Sequence, residues 1–260
     1  MLALITGASS GLGLEFAKIH AEKGGDLILV ARSVGKMEAL KTELESKYAV
    51  KVYVMPADLS DPAAPDKLFA DVQSMGLQVD MLFNNAGFSV YGLFAETDWK
   101  KEEELLQVNM MALTRLTKLF VPGMVERRKG YILQVASNAA YQPGPTMALY
   151  YASKAFVYYF SSALYNELKP YGVHVTCLTP GPTHTGFQDR AEMHESRLLK
   201  ILPVAKAEPV ARYGYRALLK GKRMAIPSFS VLMLQMGSKY MPWNIVVPLT
   251  RYLQGHSDLK

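Results

Sequence analysis

Cysteine is almost absent from this chain: Cys177 is the single one in 260 residues, which excludes a disulfide framework and a cysteine-built zinc site. Its setting, the apolar run HVTCL, suits a buried thiol in a strand. Long apolar runs are missing as well. The uncharged stretch Met224 to Ser238 contains Pro227, Gly237 and several polar side chains, short of the ~20 apolar residues of a spanning helix. No transmembrane segment is expected, although peripheral contact with a membrane stays open. No block of like charge occurs either: the net charge of +6 comes from lysines and arginines dispersed among acidic residues, the pattern of a solvated surface with a bias towards anionic ligands rather than a nucleic-acid site. His184 and His194 show no metal-ligand pattern, so no metal is expected. Met1 runs straight into the apolar Leu2 to Ile5, with no basic segment, long apolar core or small-residue cleavage site, and a cytoplasmic location is expected. No repeat, linker or low-complexity segment divides the chain, so residues 1–260 read as one domain.

What is present is an alternation. Short apolar runs at Leu2 to Ile5, Leu27 to Val30, Val52 to Met55, Met81 to Phe83, Tyr131 to Val135 and Val173 to Leu178 read as buried strands. Between them Leu12 to Lys23, Lys36 to Lys47 and Pro65 to Met75 carry helical periodicity, and the longer stretches Trp99 to Arg127 and Ala148 to Lys169 flank the fifth strand. This pattern predicts an α/β, doubly wound parallel sheet with helices on both faces, whose ligands bind beyond the carboxyl ends of the strands. Small and polar clusters follow each strand: TGASSGLG, ARS, ADLSD, NNAG, ASNAA and TPGPTHT.

The first cluster is either a tight turn or a phosphate site, because glycine adopts otherwise strained angles and leaves amide N–H groups exposed. Gly7, Gly11 and Gly13 are spaced G-x-x-x-G-x-G, a longer first gap than the usual dinucleotide fingerprint. Their place between a strand and a helix start puts amide donors and the positive helix end where a pyrophosphate would sit. Asp26 has the spacing of the ribose-binding acid, about 20 residues on, but it opens the second strand and the ribose would lie at the other end. There the sequence has Ala31, Arg32 and Ser33. An uncharged residue followed by a guanidinium suits a 2′-phosphate, which needs charge-assisted donors and would be repelled by a carboxylate, so NADP(H) is the expected cofactor; the alternative is an ordinary surface arginine.

In ALYYASKAF, Tyr150 and Lys154 stand four residues apart on one helical face. A free phenol has a pKa near ~10, and a neighbouring ammonium lowers it, so the pair can exchange a proton near neutral pH. Tyr151, three residues from Lys154, is the competing partner.

These motifs resemble the short-chain dehydrogenase/reductase family from residue 2 to about residue 185. TGxxxGxG appears as Thr6 to Gly13, NNAG as Asn84 to Gly87, YxxxK as Tyr150 and Lys154, and the PG-x-x-x-T turn as Pro180, Gly181 and Thr185. The resemblance implies a Rossmann-type sheet of about seven strands in the order 3-2-1-4-5-6-7. It also places the family's active-site serine at Ser137 and its helix asparagine at Asn109, completing a tetrad with Tyr150 and Lys154. It implies that Tyr150 gives a proton to a substrate carbonyl oxygen while the nicotinamide gives hydride to the carbon. Ser137 would bond the same oxygen, Lys154 would lower the Tyr150 pKa and bind the nicotinamide ribose, and Asn109 would hold a water leading to solvent. Cofactor contacts would extend over Gly7, Ser9, Ser10, Gly11, Leu12, Gly13, Arg32, Asp58 (against the adenine), Leu59, Asn85, Ala86, Gly87, Pro180, Gly181, Thr183 and Thr185. Taken singly, Asn84 and Asn85 read equally as braces of the sheet, Ser137 as a strand-end cap and Asn109 as a helix-kink residue.

A narrower likeness is to the branch related to acyl and ketoacyl-thioester reductases and hydroxysteroid dehydrogenases, which implies a hydrophobic carbonyl or alcohol substrate. A variable substrate lid is expected over about residues 183–210, then a helix around Val210 to Lys220 and a last strand, Met224 to Ile226. Beyond it lies an apolar extension, 228–260, in which Phe229, Leu232, Met233, Met236 and Tyr240 recur at helical spacing before Pro242. It would pack on the body or a second subunit, wall a hydrophobic pocket, or rest on a membrane. The family's habit of pairing helices, and the aromatics Phe156, Tyr158, Tyr159 and Phe160, imply a homodimer or homotetramer. Two function classes follow: an oxidoreductase, and a non-catalytic NADP(H)-binding sensor or scaffold, against which the intact tetrad argues.

Overall fold

Alternate residues of the central strands feed two different apolar layers, which is what burial of a parallel sheet on both faces requires. In the computed structural model, which describes residues 1–184 and 204–255, Ala3 and Ile5 of β1 (Leu2–Thr6) and Leu27 and Leu29 of β2 (Asp26–Ala31) join Phe16, Phe83 and Tyr215 on one side. Leu4, Ile28 and Val30 join Leu82, Phe120 and Val175 on the other.

The remaining strands are β3 (Val52–Pro56), β4 (Met81–Asn84), β5 (Gly130–Val135), β6 (Val173–Leu178) and the two-residue β7 (Thr183–His184), β8 (Ala205–Lys206) and β9 (Met224–Ala225). Seven of them form one parallel sheet in the order β3-β2-β1-β4-β5-β6-β9, with β7 paired to β8 apart from it. The expected order is therefore observed, with the strand after the lid at the edge. The strand order reverses between β1 and β4, and the loops after both open on one side of the sheet. The last strand stops at Ala225, one residue short of the expected Ile226.

Helices α1 (Gly11–Glu22), α2 (Val34–Lys47), α3 (Ala64–Ser74), α4 (Trp99–Leu106), α5 (Leu113–Glu126), α6 (Ala148–Leu168), α7 (Ala207–Leu219), α8 (Phe229–Tyr240) and α9 (Trp243–Gln254) fill the connections and the tail. The stretch Trp99 to Arg127, expected as one helix, is broken by a π-helical segment, Gln107–Ala112, between α4 and α5. Asn109 sits in that widened turn and spends its amide on the backbone of Phe88: Nδ2 donates to the Phe88 carbonyl at 3.0 Å and Oδ1 accepts from its N–H at 3.1 Å. A π segment is a common device for turning a functional side chain out of helical register. Of the expected lid, Thr183, His184 and residues 204–210 are described; Thr185 and His194 lie outside the described residues.

Candidate active site

The glycine loop is built by backbone demands. Gly7 and Gly11 hold left-handed conformations, φ +67° and +57°, which favour glycine. Gly13 serves another end: a Cβ there would lie 2.3 Å from the Gly7 carbonyl oxygen, so its hydrogen lets α1 rest on the loop. Thr6 ties the loop to the strand end after β4, its Oγ1 donating to the Phe83 carbonyl at 3.2 Å and accepting from the N–H groups of Asn85 and Ala86 at 3.0 Å each. Asn85 Nδ2 donates back to the Thr6 carbonyl at 2.9 Å, and Asn84 Nδ2 donates to Thr117 Oγ1 at 2.9 Å. Both asparagines thus brace the sheet.

One cleft of about 530 Å³ runs from this loop to the start of α6. Every residue expected to touch the cofactor and described in the structure lines it, with the exception of Gly13. That expectation is corrected: Gly13 is buried in the first turn of α1, against the Gly7 carbonyl, and acts through packing. At one end Arg32 and Asp58 face each other at 3.8 Å, both largely exposed. Partial burial raises the Asp58 carboxyl, but bonds from the Ser60 N–H and hydroxyl and the charge of Arg32 outweigh it, leaving the group below its ordinary value. The first turn of α1 holds no acidic residue, so no carboxylate of that turn neutralises the positive helix end that opens on the cleft. A left-handed glycine loop at a helix start without acidic residues is a cradle that fits the pyrophosphate of a dinucleotide.

At the other end α6 presents Tyr150 and Lys154, both buried. Lys154 Nζ donates to the Val135 carbonyl at 3.0 Å and lies 5.8 Å from the centre of the Tyr150 ring. Burial lowers the Lys154 ammonium to about 8. The expected lowering of Tyr150 by Lys154 is not what this arrangement gives. Burial pushes the Tyr150 phenol up to about 12, opposed by the hydrogen bond it shares with Ser137, because both groups are desolvated before any ligand charge is added. Ser137, at the end of β5, also caps the turn Asn138–Tyr141 by accepting from the Ala139 N–H at 3.1 Å, and donates to Asn138 Oδ1 at 3.0 Å. It is at once a cap and Tyr150's partner.

Asn109 does not line the cleft. It lies behind the wall, its Nδ2 3.1 Å from Ser153 Oγ. A Cβ on Gly87 would fall 3.0 Å from Asn109 Oδ1 and 3.2 Å from Lys154 Nζ, so the bare glycine keeps open the space between the two polar groups. The structure therefore brings together Ser137, Tyr150 and Lys154 and places Asn109 one layer back.

The model of the short chain dehydrogenase family matches residues 1–196. The chain belongs to the short-chain dehydrogenase family. Among curated relatives of this family, a very-long-chain 3-oxoacyl-CoA reductase of Phaeosphaeria nodorum is 41% identical over 180 residues, covering 68% of this chain and 53% of that protein. The chain thus spans about half the length of the curated relatives it matches. Among solved structures, a short-chain dehydrogenase from Sphingobium yanoikuyae in complex with NADPH superposes with a TM-score of 0.83 at 29% identity, over 100% of this chain and 96% of that one. A bulky-bulky ketone specific alcohol dehydrogenase from Comamonas testosteroni gives 0.78 at 26% identity, over 100% and 94%.

Sequence reasoning missed several residues that share the short-chain dehydrogenase cleft. Met147 and Ser89 line it, as does Gln254 from the end of α9, and Tyr151, weighed in the sequence as a partner of Lys154, joins them as a wall residue. The sequence holds a signal for Tyr151, which adjoins Tyr150. It holds none for Gln254, which meets Tyr151 across 103 residues.

Proposed function

We propose that the protein is an NADP(H)-dependent oxidoreductase that interconverts a carbonyl and a secondary alcohol on a hydrophobic substrate of acyl-chain or steroid-like kind, a 3-oxoacyl thioester being the first choice. The observation that carries this reading is the convergence of Tyr150, Ser137 and Lys154 at one end of a cleft whose other end is the glycine loop. When bound, NADP(H) supplies or accepts the hydride at the substrate carbon. The residues Gly7 to Leu12 and Asn85 to Gly87 hold the dinucleotide, Arg32 pairs with its 2′-phosphate, and Lys154 reaches its nicotinamide ribose. Tyr150, protonated over the working pH range, gives its Oη proton to the carbonyl oxygen, and Ser137 bonds that oxygen as charge develops on it. Asn109 acts as a positioning residue, fixing the Phe88 backbone beside Gly87 and the polar space next to Lys154.

The hydrophobic substrate is supported by the apolar surroundings of Tyr150, where Leu105, Ala139, Met147 and Tyr151 cluster with Phe88 and Val90. The names of the fungal reductase and of the bulky-ketone dehydrogenase point the same way, and the NADPH-bound relative supports the cofactor.

The test follows NADPH consumption with long-chain 3-oxoacyl thioesters in the wild type and in Tyr150→Phe. Turnover by the wild type and its loss by about a hundredfold or more in the variant, with NADPH binding retained, is the expected result. Tight NADPH binding without turnover on any carbonyl in the wild type would favour the sensor or scaffold instead.

A further inference from the structure

Buried polar atoms without a partner are rare in folded proteins because leaving them unmade is costly, and one that faces a cleft is a candidate for meeting a ligand. Among the described residues, buried side-chain oxygens of this kind occur on Asn84, Ser89, Thr114, Gln134, Gln142 and Gln254. Two of these residues, Ser89 and Gln254, line the cleft. Ser89 is 3% exposed and Gln254 1%. Both belong to the end where Tyr150 lies, beside an apolar cluster that includes Leu105, Ala139, Met147, Phe88 and Val90.

Gln254 is held firmly. Its Nε2 donates to Tyr151 Oη and approaches Met147 Sδ at 3.7 Å, and its backbone carbonyl accepts from Tyr91 Oη at 2.9 Å. With Nε2 on Tyr151 Oη, the Gln254 Oε1 is left without a hydrogen-bond partner among the described residues. Ser89 Oγ–H can donate or accept. A hydrophobic ketone with a single oxygen would occupy Tyr150 and Ser137 and leave both of these atoms unmade.

We propose that Ser89 and Gln254 are specificity-determining residues that read the thioester arm of the substrate: Ser89 Oγ–H donates to the thioester carbonyl oxygen, and Gln254 Oε1 accepts from the amide N–H that follows in the carrier arm. This rests on the 3-oxoacyl thioester reading of the site and deepens it. Fixing the thioester end sets which carbon of the chain stands before Tyr150, so the pair would select the 3-oxo position. It also gives α9, which lies beyond the residues matched by the family model, a direct part in substrate choice.

The experiment compares two substrates with NADPH: a 3-oxoacyl thioester of N-acetylcysteamine, which carries both groups, and a methyl ketone of the same chain length, which carries neither. Each is run on the wild type, Ser89→Ala and Gln254→Leu. Ser89→Ala removes an atom that bonds nothing among the described residues, so it should fold as the wild type does. The expected result is a roughly tenfold rise in KM for the thioester in each variant, with its kcat and the KM for the methyl ketone unchanged. For Gln254→Leu, which also frees Tyr151, the ratio of the two KM values is the readout. An unchanged ratio in both variants would overturn the proposal while leaving the reductase reading intact. A wild type that reduces the methyl ketone but no thioester would overturn this proposal and the choice of thioester together, and one that reduces neither would contradict the functional reading itself.

Discussion

Arg32 and Lys154 make opposite uses of charge. Arg32, exposed at the end of β2 beside Asp58, would give its guanidinium to a 2′-phosphate that NADH lacks. Arg32→Asp should therefore lower NADPH affinity roughly tenfold or more and leave NADH binding level or improved; fluorescence titration with both cofactors checks this, and equal affinities in the wild type would contradict it. Lys154 is buried, and burial lowers its ammonium from 10.5 to about 8. Between those values the unfolded chain holds a proton that the folded chain has released, so stability rises with pH across that window, while below about 8 the full cost of the buried ammonium is present. Lys154→Met removes that cost. Denaturant unfolding without cofactor should show the variant more stable than the wild type near neutral pH, with the gap closing as pH climbs from about 8 towards 10.5. A gap independent of pH would contradict the assignment of a strained, buried charge.

At the scale of elements, the tail is the part for which the sequence left most readings open. The helical spacing of Phe229 to Tyr240 is realised as α8, and a second helix, α9, follows Pro242. One face of the pair packs inward: Val231 and Val246 are buried, and a Cβ on Gly181 would lie 2.9 Å from Val231 Cγ2. The tail thus abuts the Pro180–Gly181 turn and, through Gln254, the cleft. Deleting residues 228–260 should lower activity on long acyl substrates far more than on small ketones, given retained NADPH binding; equal losses on both would assign the tail a packing role alone. The strands and most of the cleft were legible in the sequence because their signals are local: short apolar runs, a glycine loop after β1, YxxxK on one turn of α6; the strand order came with the family resemblance that these motifs carry. The π segment at Asn109 was not, since the bonds that Asn109 makes there run to the backbone of Phe88, on another loop. Nor was the packing role of Gly13, set by the Gly7 carbonyl, or Gln254, whose partners come from distant stretches of chain.

Over the whole molecule, the surface keeps large apolar groups in the open. Phe229, Tyr240 and Trp243 are 76%, 71% and 66% exposed, while no helix among the described residues is long and apolar enough to cross a membrane. Phe156, Tyr158 and Phe160 of α6 pack against Leu113, Val157 and Cys177 within the chain, leaving Tyr159 as the exposed aromatic of that run. Together these exposed groups support self-association. Light scattering at micromolar concentration should give a dimer or tetramer, and a monomer would contradict that. The central claim is that the cleft transfers hydride from a nicotinamide to a substrate carbonyl with Tyr150 as proton donor. The most direct measurement uses NADPH deuterated at the transferable position of its nicotinamide ring and a long-chain 3-oxoacyl thioester, with mass spectrometry of the alcohol formed. One deuterium at the carbinol carbon with the wild type, and no alcohol above background with Tyr150→Phe, is the predicted result. Alcohol formed without deuterium, or formed equally by the Tyr150→Phe variant, would contradict it.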